Sequence, residues 1–429
     1  MTTSLETGPL LEHLFRHQAG RITARLTRVL GPAHSALVEE TVQEAMLRAL
    51  QMWPYQGTPT NPAGWLFRVA HNIAIDAVRR DQAFGDKTES IVASLTSSGT
   101  WMHTDPDVEE QLRDDELRMI FMCCHPALSF EARVALSLKL VGGFSVREIA
   151  RAFLADDAAI AQRLVRAKRQ VKDEQVTLDI PSGALFAERL DSVLQVIYFM
   201  FNEGYAAQSG EDLIRQDLCF EALRLGRLVA SSSIATPRVH ALVALMALQA
   251  ARLDARVDHA GDLVLLDDQN RGQWDQRLIA MGFHHFDRSM VGEDVSEYHV
   301  QAAIAATHTR ALDSRAVDWP LILRLYDQLL SINPSPVVAL NRVVALAKVR
   351  GAAEALDTLA PLERDPKLRR YYLLLAVRGQ LLLELGRTSD AARAFKAALA
   401  CPCSEPEQRF LRRKLQTCEA SALPTSPRT

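Results

Sequence analysis

Aromatic residues are scarce in this chain, 6% of 429, and the Val/Ile/Thr alternation that marks β-strands hardly occurs. Ala, Leu and Arg, all good helix formers, take their place. These shortages exclude a sheet-based fold and lead to the expectation of an all-α protein. No stretch of about 20 apolar residues and no secretory signal is present, which argues against a membrane protein. The six cysteines are too few and too scattered for a disulfide scaffold, so a reduced, cytoplasmic protein is expected.

Metal signatures are missing too. Cys123-Cys124-His125 lacks the two-to-four-residue spacing of a zinc site and has no second pair downstream. His284-His285-Asp287 with Glu293 and His299 lacks the i,i+4 histidine pair and a matched acid. The cysteines read instead as buried free thiols. There is no Gly-rich phosphate loop and no Gly-x-Ser-x-Gly elbow. The expectation is a protein that is not an enzyme, with no catalytic residues, no metal and no cofactor. An excess of one charge is also lacking, since the formal net charge is -3. A dedicated nucleic-acid coat would be strongly basic. Any basic surface must therefore be local, and DNA would be read with help from a partner.

Four stretches stand out. Residues 8–82 form a helical module. Leu10, Leu14, Ile22, Leu26 and Leu30 make its first apolar stripe, broken at Gly31-Pro32. A second helix runs from Ala36 to Gln51 on a stripe of Val38, Val42, Ala45 and Ala49, then Pro54–Pro62 reads as a loop. A third helix runs from Ala63 to Arg80. Residues 83–106 are polar and without periodicity, a flexible linker that lets its neighbours move independently. Residues 107–175 form a second helical module that starts at Pro106. Residues 184–420 are helices joined by short turns. In the last of them, Gly379, Leu382, Gly386, Ala391, Phe395 and Ala398 fall at tetratricopeptide spacing. There Gly379 and Ala391 let two helices approach and Phe395 fills the gap. The Ser/Pro/Thr-rich tail 420–429 reads as frayed.

The most informative segment lies in the second module. Phe144-Ser145-Val146-Arg147-Glu148-Ile149-Ala150-Arg151-Ala152-Phe153 is followed by Leu154-Ala155-Asp156-Asp157 and then by Ala158 to Arg169. It reads as a helix-turn-helix whose second helix buries Ile160, Leu164, Ala167 and Val171 and is basic along another side, as fits a DNA major groove. In the first module, Glu39, Gln43 and Arg48 point away from the apolar stripe, and Glu40 and Glu44 form an acidic i,i+4 pair. The next helix carries Trp65, Phe67, Arg68, Asn72, Arg79 and Arg80. Trp65 is open to two readings, stacking platform or, more usually at such a position, core. Asp76 is placed equally well to pair with Arg79 or Arg80.

The stretch Val38–Leu50 followed by Asn61–Arg80 resembles region 2 of the sigma-70 family, in its extracytoplasmic-function (ECF) group, and the helix-turn-helix resembles region 4. Both occur in family order with no middle domain, and the resemblance covers roughly residues 8–175. It implies a promoter-specificity factor that binds core RNA polymerase through its β′ and β subunits, with Glu39, Glu40, Gln43, Glu44 and Arg48 on the β′ clamp. It implies recognition and melting of the −10 element by Trp65, Arg68, Asn72, Arg79 and Arg80. It implies −35 recognition by Arg147, Arg163, Arg166, Lys168 and Arg169. Aromatic stacking is worth about 1–3 kcal/mol per flipped base, and arginines hold phosphates. Two features depart from the family pattern. The turn carries Leu154-Ala155-Asp156-Asp157 where a glycine is usual, and a long helical extension follows residue 175. The extension resembles that of a subgroup with tetratricopeptide-like tails, for which a regulatory role with a protein or small-molecule partner is expected. The alternative reading is a stand-alone helix-turn-helix regulator with a repeat sensor.

Overall fold

A computed structural model describes residues 7–80, 89, 91–93, 106–153, 155–205 and 214–422. The chain divides into two compact units, Met1–Phe199 and Met200–Thr429. Among the described residues it is helical, and its one β-type pairing is an isolated bridge between Val257 and Leu263.

In the N-terminal unit, α1 (Thr7–Leu30), α2 (Ser35–Gln56) and α3 (Pro62–Arg80) enclose a core that includes Ile22, Leu26, Val38, Val42, Leu66 and Val78. Gly31, at φ 86°, supplies the turn that separates α1 from α2. Asn61 starts α3 by accepting the Gly64 N–H at 2.9 Å. The sequence places Pro54 in a loop, whereas α2 continues through it to Gln56. Proline in the last turn removes one intrahelical hydrogen bond, which frees the carbonyl of exposed Leu50, and buried Trp53 anchors that turn.

The second half of this unit contains α4 (Pro106–Cys123), α5 (Phe130–Leu136), a π-turn at Ser137–Val141, α6 (Val146–Phe153) and α7 (Asp157–Asp173). Ser129 caps α5. A reciprocal capping box starts α6: Ser145 N–H donates to Glu148 Oε2 at 2.7 Å, and Glu148 N–H donates to Ser145 Oγ at 3.2 Å. Ile160, Leu164, Ala167 and Val171 are the buried residues of α7, the stripe expected from the sequence. Cys123 and Cys124 are buried free thiols, and burial pushes Cys124 up to about 12.

The expected linker 83–106 lies almost wholly outside the described residues. The modules it was expected to separate are nevertheless packed together. Asp115 of α4, at 0% exposure, accepts Arg25 at 3.1 Å and Arg28 at 2.5 Å from α1. Arg16 donates to Glu148 at 2.6 Å and lies 4.6 Å from the Phe144 ring centroid. Two glycines permit the close approach. A Cβ on Gly20 would overlap the Val141 carbonyl oxygen, and one on Gly143 would come within 2.6 Å of the Arg16 carbonyl oxygen. Helical periodicity identifies an apolar face but not what it meets, so this pairing was not legible in advance.

α8 (Ala184–Tyr205) spans the boundary between the units. Its first half packs within the N-terminal unit: Ser192 Oγ donates to the Cys124 carbonyl at 2.7 Å and accepts Arg133 Nη1 at 2.8 Å.

The C-terminal unit continues with α9 (Gln216–Ala230), α10 (Pro237–Ala250), α11 (Gln276–Ser289), α12 (Glu297–Arg310), α13 (Trp319–Ile332), α14 (Pro336–Arg350), α15 (Ala352–Leu359), α16 (Tyr372–Glu384), α17 (Thr388–Leu399) and α18 (Glu405–Ala422). α10 is buried almost all round. The α16–α17 pair has the expected geometry: a Cβ on Gly379 would lie 2.7 Å from the Phe395 ring, with Ala391 and Ala398 fully buried.

Two substitutions test the seam of the N-terminal unit. Gly20→Ala improves helix propensity by about 1 kcal/mol, but its methyl group meets backbone that cannot rotate away, and overpacking costs about 1–3 kcal/mol. The expected net result is a lower thermal midpoint by circular dichroism, and an unchanged or raised midpoint would contradict the seating of α1. Asp115→Asn leaves two guanidinium groups facing a neutral amide, a loss on the order of 3–5 kcal/mol. Urea unfolding of the variant should show a correspondingly earlier transition.

Candidate nucleic-acid interface

α7 presents a buried side and an outward side. Opposite the Ile160/Leu164/Ala167/Val171 stripe, Gln162, Val165, Arg166 and Arg169 are exposed. Arg147 on α6 is exposed as well. Arg169 has an i,i+4 partner in Asp173 at 3.4 Å, but both side chains are mostly in solvent, so the pair restrains it little. The other two residues expected at −35 are engaged. The Arg163 guanidinium lies 5.3 Å from the Phe153 ring centroid. Lys168 forms an ion pair with Glu39 of α2. The structure therefore groups Arg147, Arg166 and Arg169 as outward cations and sets Arg163 and Lys168 on the flanks. Sequence reasoning missed Gln162 and Val165. Val165 is 65% exposed, and its position four residues before Arg169, on the same side of the helix, was the available signal.

Asp156 precedes α7 in extended conformation without a side-chain capping bond. Asp156 and Asp157 are exposed, so their charge lies at the helix N-terminus, where it favours the helix dipole.

α3 carries Arg68, Asn72, Arg79 and Arg80 on its exposed side. Arg80 Nε donates to the Asp76 backbone carbonyl at 3.0 Å, a backbone contact in place of the carboxylate pairing considered from the sequence. Trp65 is half-buried, edge-on to buried Trp53 at 5.5 Å between centroids, and Phe67 is buried. Tyr55, 91% exposed at the end of α2, is an aromatic of this module that is open to solvent and was not singled out from the sequence.

On α2, Glu40, Gln43 and Arg48 are exposed, and Glu44 accepts Arg48 Nε at 2.9 Å. Glu39 and Gln43 line one wall of an open groove of about 450 Å³, and Lys139 and Glu148 line the facing wall. Burial lowers the Lys139 pKa, and Glu39 opposes that shift. Leu47 and Leu50 are more than half exposed on the same side of α2. Sequence reasoning picked the polar members of this face and missed these leucines, which fall outside the Val38/Val42/Ala45/Ala49 stripe. This face of α2 is thus an acidic and amide rim around exposed leucines, and Glu39 is already paired with a lysine from the helix-turn-helix.

Elsewhere, His299 caps α12: its Nδ1 accepts the Ser296 N–H at 3.0 Å. His285 instead faces His240, with 2.9 Å between their Nδ1 atoms. Among the described residues no three His, Cys, Asp or Glu side chains converge as a metal site would need. Nor is any described helix long and apolar enough to cross a membrane.

Three family models match the chain: sigma-70 region 2 over residues 14–84, sigma-70 region 4 over 118–171, and a family of unknown function over 189–290. An uncharacterized protein of Rhizobium meliloti is 40% identical over 380 residues, 88% of this chain and 89% of that protein. The ECF RNA polymerase sigma factor SigK of Mycolicibacterium vanbaalenii is 30% identical over 158 residues, 35% of this chain and 75% of that protein. SigK of Mycobacterium ulcerans is 27% identical over 163 residues, 37% of this chain and 82% of that protein. No solved structure matches. With both sigma regions in order on the two halves of one helical unit, the chain belongs to the ECF group of the sigma-70 family and carries a helical C-terminal extension.

Proposed function

We propose that this sigma factor binds core RNA polymerase through α2, engages the −10 element with α3 and reads the −35 element with α7, while its C-terminal unit regulates that activity. It works wherever the polymerase does, in the cytoplasm, and contributes no catalytic step of its own. The observation that carries the reading is the outward face of α7, where Arg166 and Arg169 stand in solvent directly opposite a fully buried stripe. Arginine reaching guanine, and an apolar side chain such as Val165 reaching a thymine methyl, are standard major-groove contacts.

The arrangement described is a closed one. At 3.4 Å per base pair, promoter elements about 25 base pairs apart are separated by on the order of 80 Å. Here a lysine of the −35 helix touches the polymerase-binding helix. Promoter engagement therefore requires α7 to leave α2, and polymerase binding to Glu39 competes directly with Lys168. This also explains why a chain of formal charge -3 would depend on its partner to hold DNA.

Arg166→Glu together with Arg169→Glu should abolish promoter-dependent run-off transcription, since each base contact is worth about 1–3 kcal/mol, while co-purification with core polymerase persists. Loss of polymerase binding in that variant would show that the wrong surface has been assigned to DNA. A chain ending after Tyr205 keeps the half of α8 that supports Cys124 and Arg133 and removes most of the C-terminal unit. Its promoter output should differ from that of the full chain; equal output under every growth condition would remove the regulatory role.

A further inference from the structure

The segment Asp267–Trp274 is a polar run with a tryptophan, and neither DNA nor polymerase binding as proposed above uses it. In the structure it forms two short 3-10 turns between α10 and α11, tied back by the Asp275 N–H donating to the Ala251 carbonyl at 2.8 Å. Arg271 reaches the C-terminal end of α12, donating Nη1 to the carbonyls of His308 at 2.6 Å and Ala311 at 2.8 Å, and its guanidinium lies 4.6 Å from the Trp274 ring centroid. Trp274 is 4% exposed, yet its indole N–H has no acceptor. Arg252 Nε and His308 Nδ1 are likewise shielded from water and unpartnered. Arg252 lies near Tyr205, whose ring it shares with Arg256. His308 packs against Trp319 with 5.3 Å between ring centroids.

The charge balance of this cluster is one-sided. Among the described residues, Arg252, Arg256 and Arg271 form no ion pair with a carboxylate. The nearby acid Asp267 is bound to Lys348 at 2.8 Å, and Asp313 caps its own turn. Burial, then Arg252 and Arg271, push the His308 imidazole down to about 4, so it is neutral at pH 7. Shielded cations and N–H groups without acceptors are costly unless a partner is supplied. An anion that offers oxygen acceptors to Arg252 Nε–H and Trp274 Nε1–H would supply it. That anion must be small, because the indole donor is nine-tenths buried and a duplex phosphate cannot reach it.

We propose that Arg252, Trp274 and His308, braced by Arg271, form a binding site for a small oxyanion, the carboxylate or phosphate group of a soluble metabolite. Binding there would fix the 266–275 segment against the end of α12. The site stands independently of the sigma reading; only its consequence for transcription rests on the regulatory role proposed for the C-terminal unit.

The test uses the purified full chain without polymerase. Thermal midpoints and tryptophan fluorescence are followed against sodium citrate, sodium phosphate and, at matched ionic strength, sodium chloride. The expected result is saturable stabilisation by citrate or phosphate beyond that by chloride, and the more effective of the two identifies the group recognised. Arg252→Gln and Trp274→Phe should each weaken that anion at least about tenfold, as loss of a hydrogen bond to a charged group does, with unchanged circular dichroism. Arg252→Lys, which keeps the charge and loses the Nε donor geometry, should recover only part of the affinity. Equal effects of all three salts, or saturable binding retained in both Arg252→Gln and Trp274→Phe, would overturn the proposal. Because no polymerase is present, either failure leaves the sigma assignment untouched, and a failed transcription assay leaves this site untouched.

Discussion

Asp115 keeps its carboxylate at 0% exposure, with donors supplied by Arg25 and Arg28 of a helix 90 and 87 positions earlier in the chain. A buried charge of this kind is tolerable only while its partners are in place, so the contact specifies one seating of α1 on α4. Other contacts of the N-terminal unit follow from it. With α1 seated, Gly20 meets the backbone at Val141, Gly143 meets Arg16, and Arg16 reaches both Phe144 and Glu148. Glu148 is also the residue whose carboxylate closes the capping box of α6. The helix-turn-helix is therefore buttressed from behind by a helix of the other sigma region, and its free side is the outward face of α7.

Much of this was legible in the sequence, because the relevant signals are local. The four-residue stripe on α7, the start of α4 at Pro106, the break at Gly31-Pro32 and the Gly379–Phe395 contact each depend on spacing within one helix or one helix pair. Each is reported by helical periodicity or by glycine's lack of a side chain. The family assignment was readable for the same reason, since region 2 and region 4 are each short and contiguous.

What was not legible depends on contacts between distant segments. The acidic Asp114-Asp115-Glu116 run carries no periodicity signal of burial, yet Asp115 and Glu116 are buried. Lys168 and Arg163 read as DNA ligands of the same standing as Arg166, and only the fold shows one paired with Glu39 and the other resting on Phe153. Pro54 reads as a helix breaker because propensity ignores that a last-turn proline loses little. In the C-terminal unit, Trp274 lies near Arg252 and His308, which stand 22 and 34 positions away in the chain, so neither their proximity nor their missing acceptors could be inferred from spacing.

The Lys168–Glu39 contact has a consequence for the ionic environment. Both side chains are partly open to solvent, 23% and 17% exposed, and added electrolyte screens a pair in that setting. Rising salinity thus weakens the Lys168–Glu39 contact, and the hold of α7 on α2 is set partly by the ions around the protein rather than by packing alone.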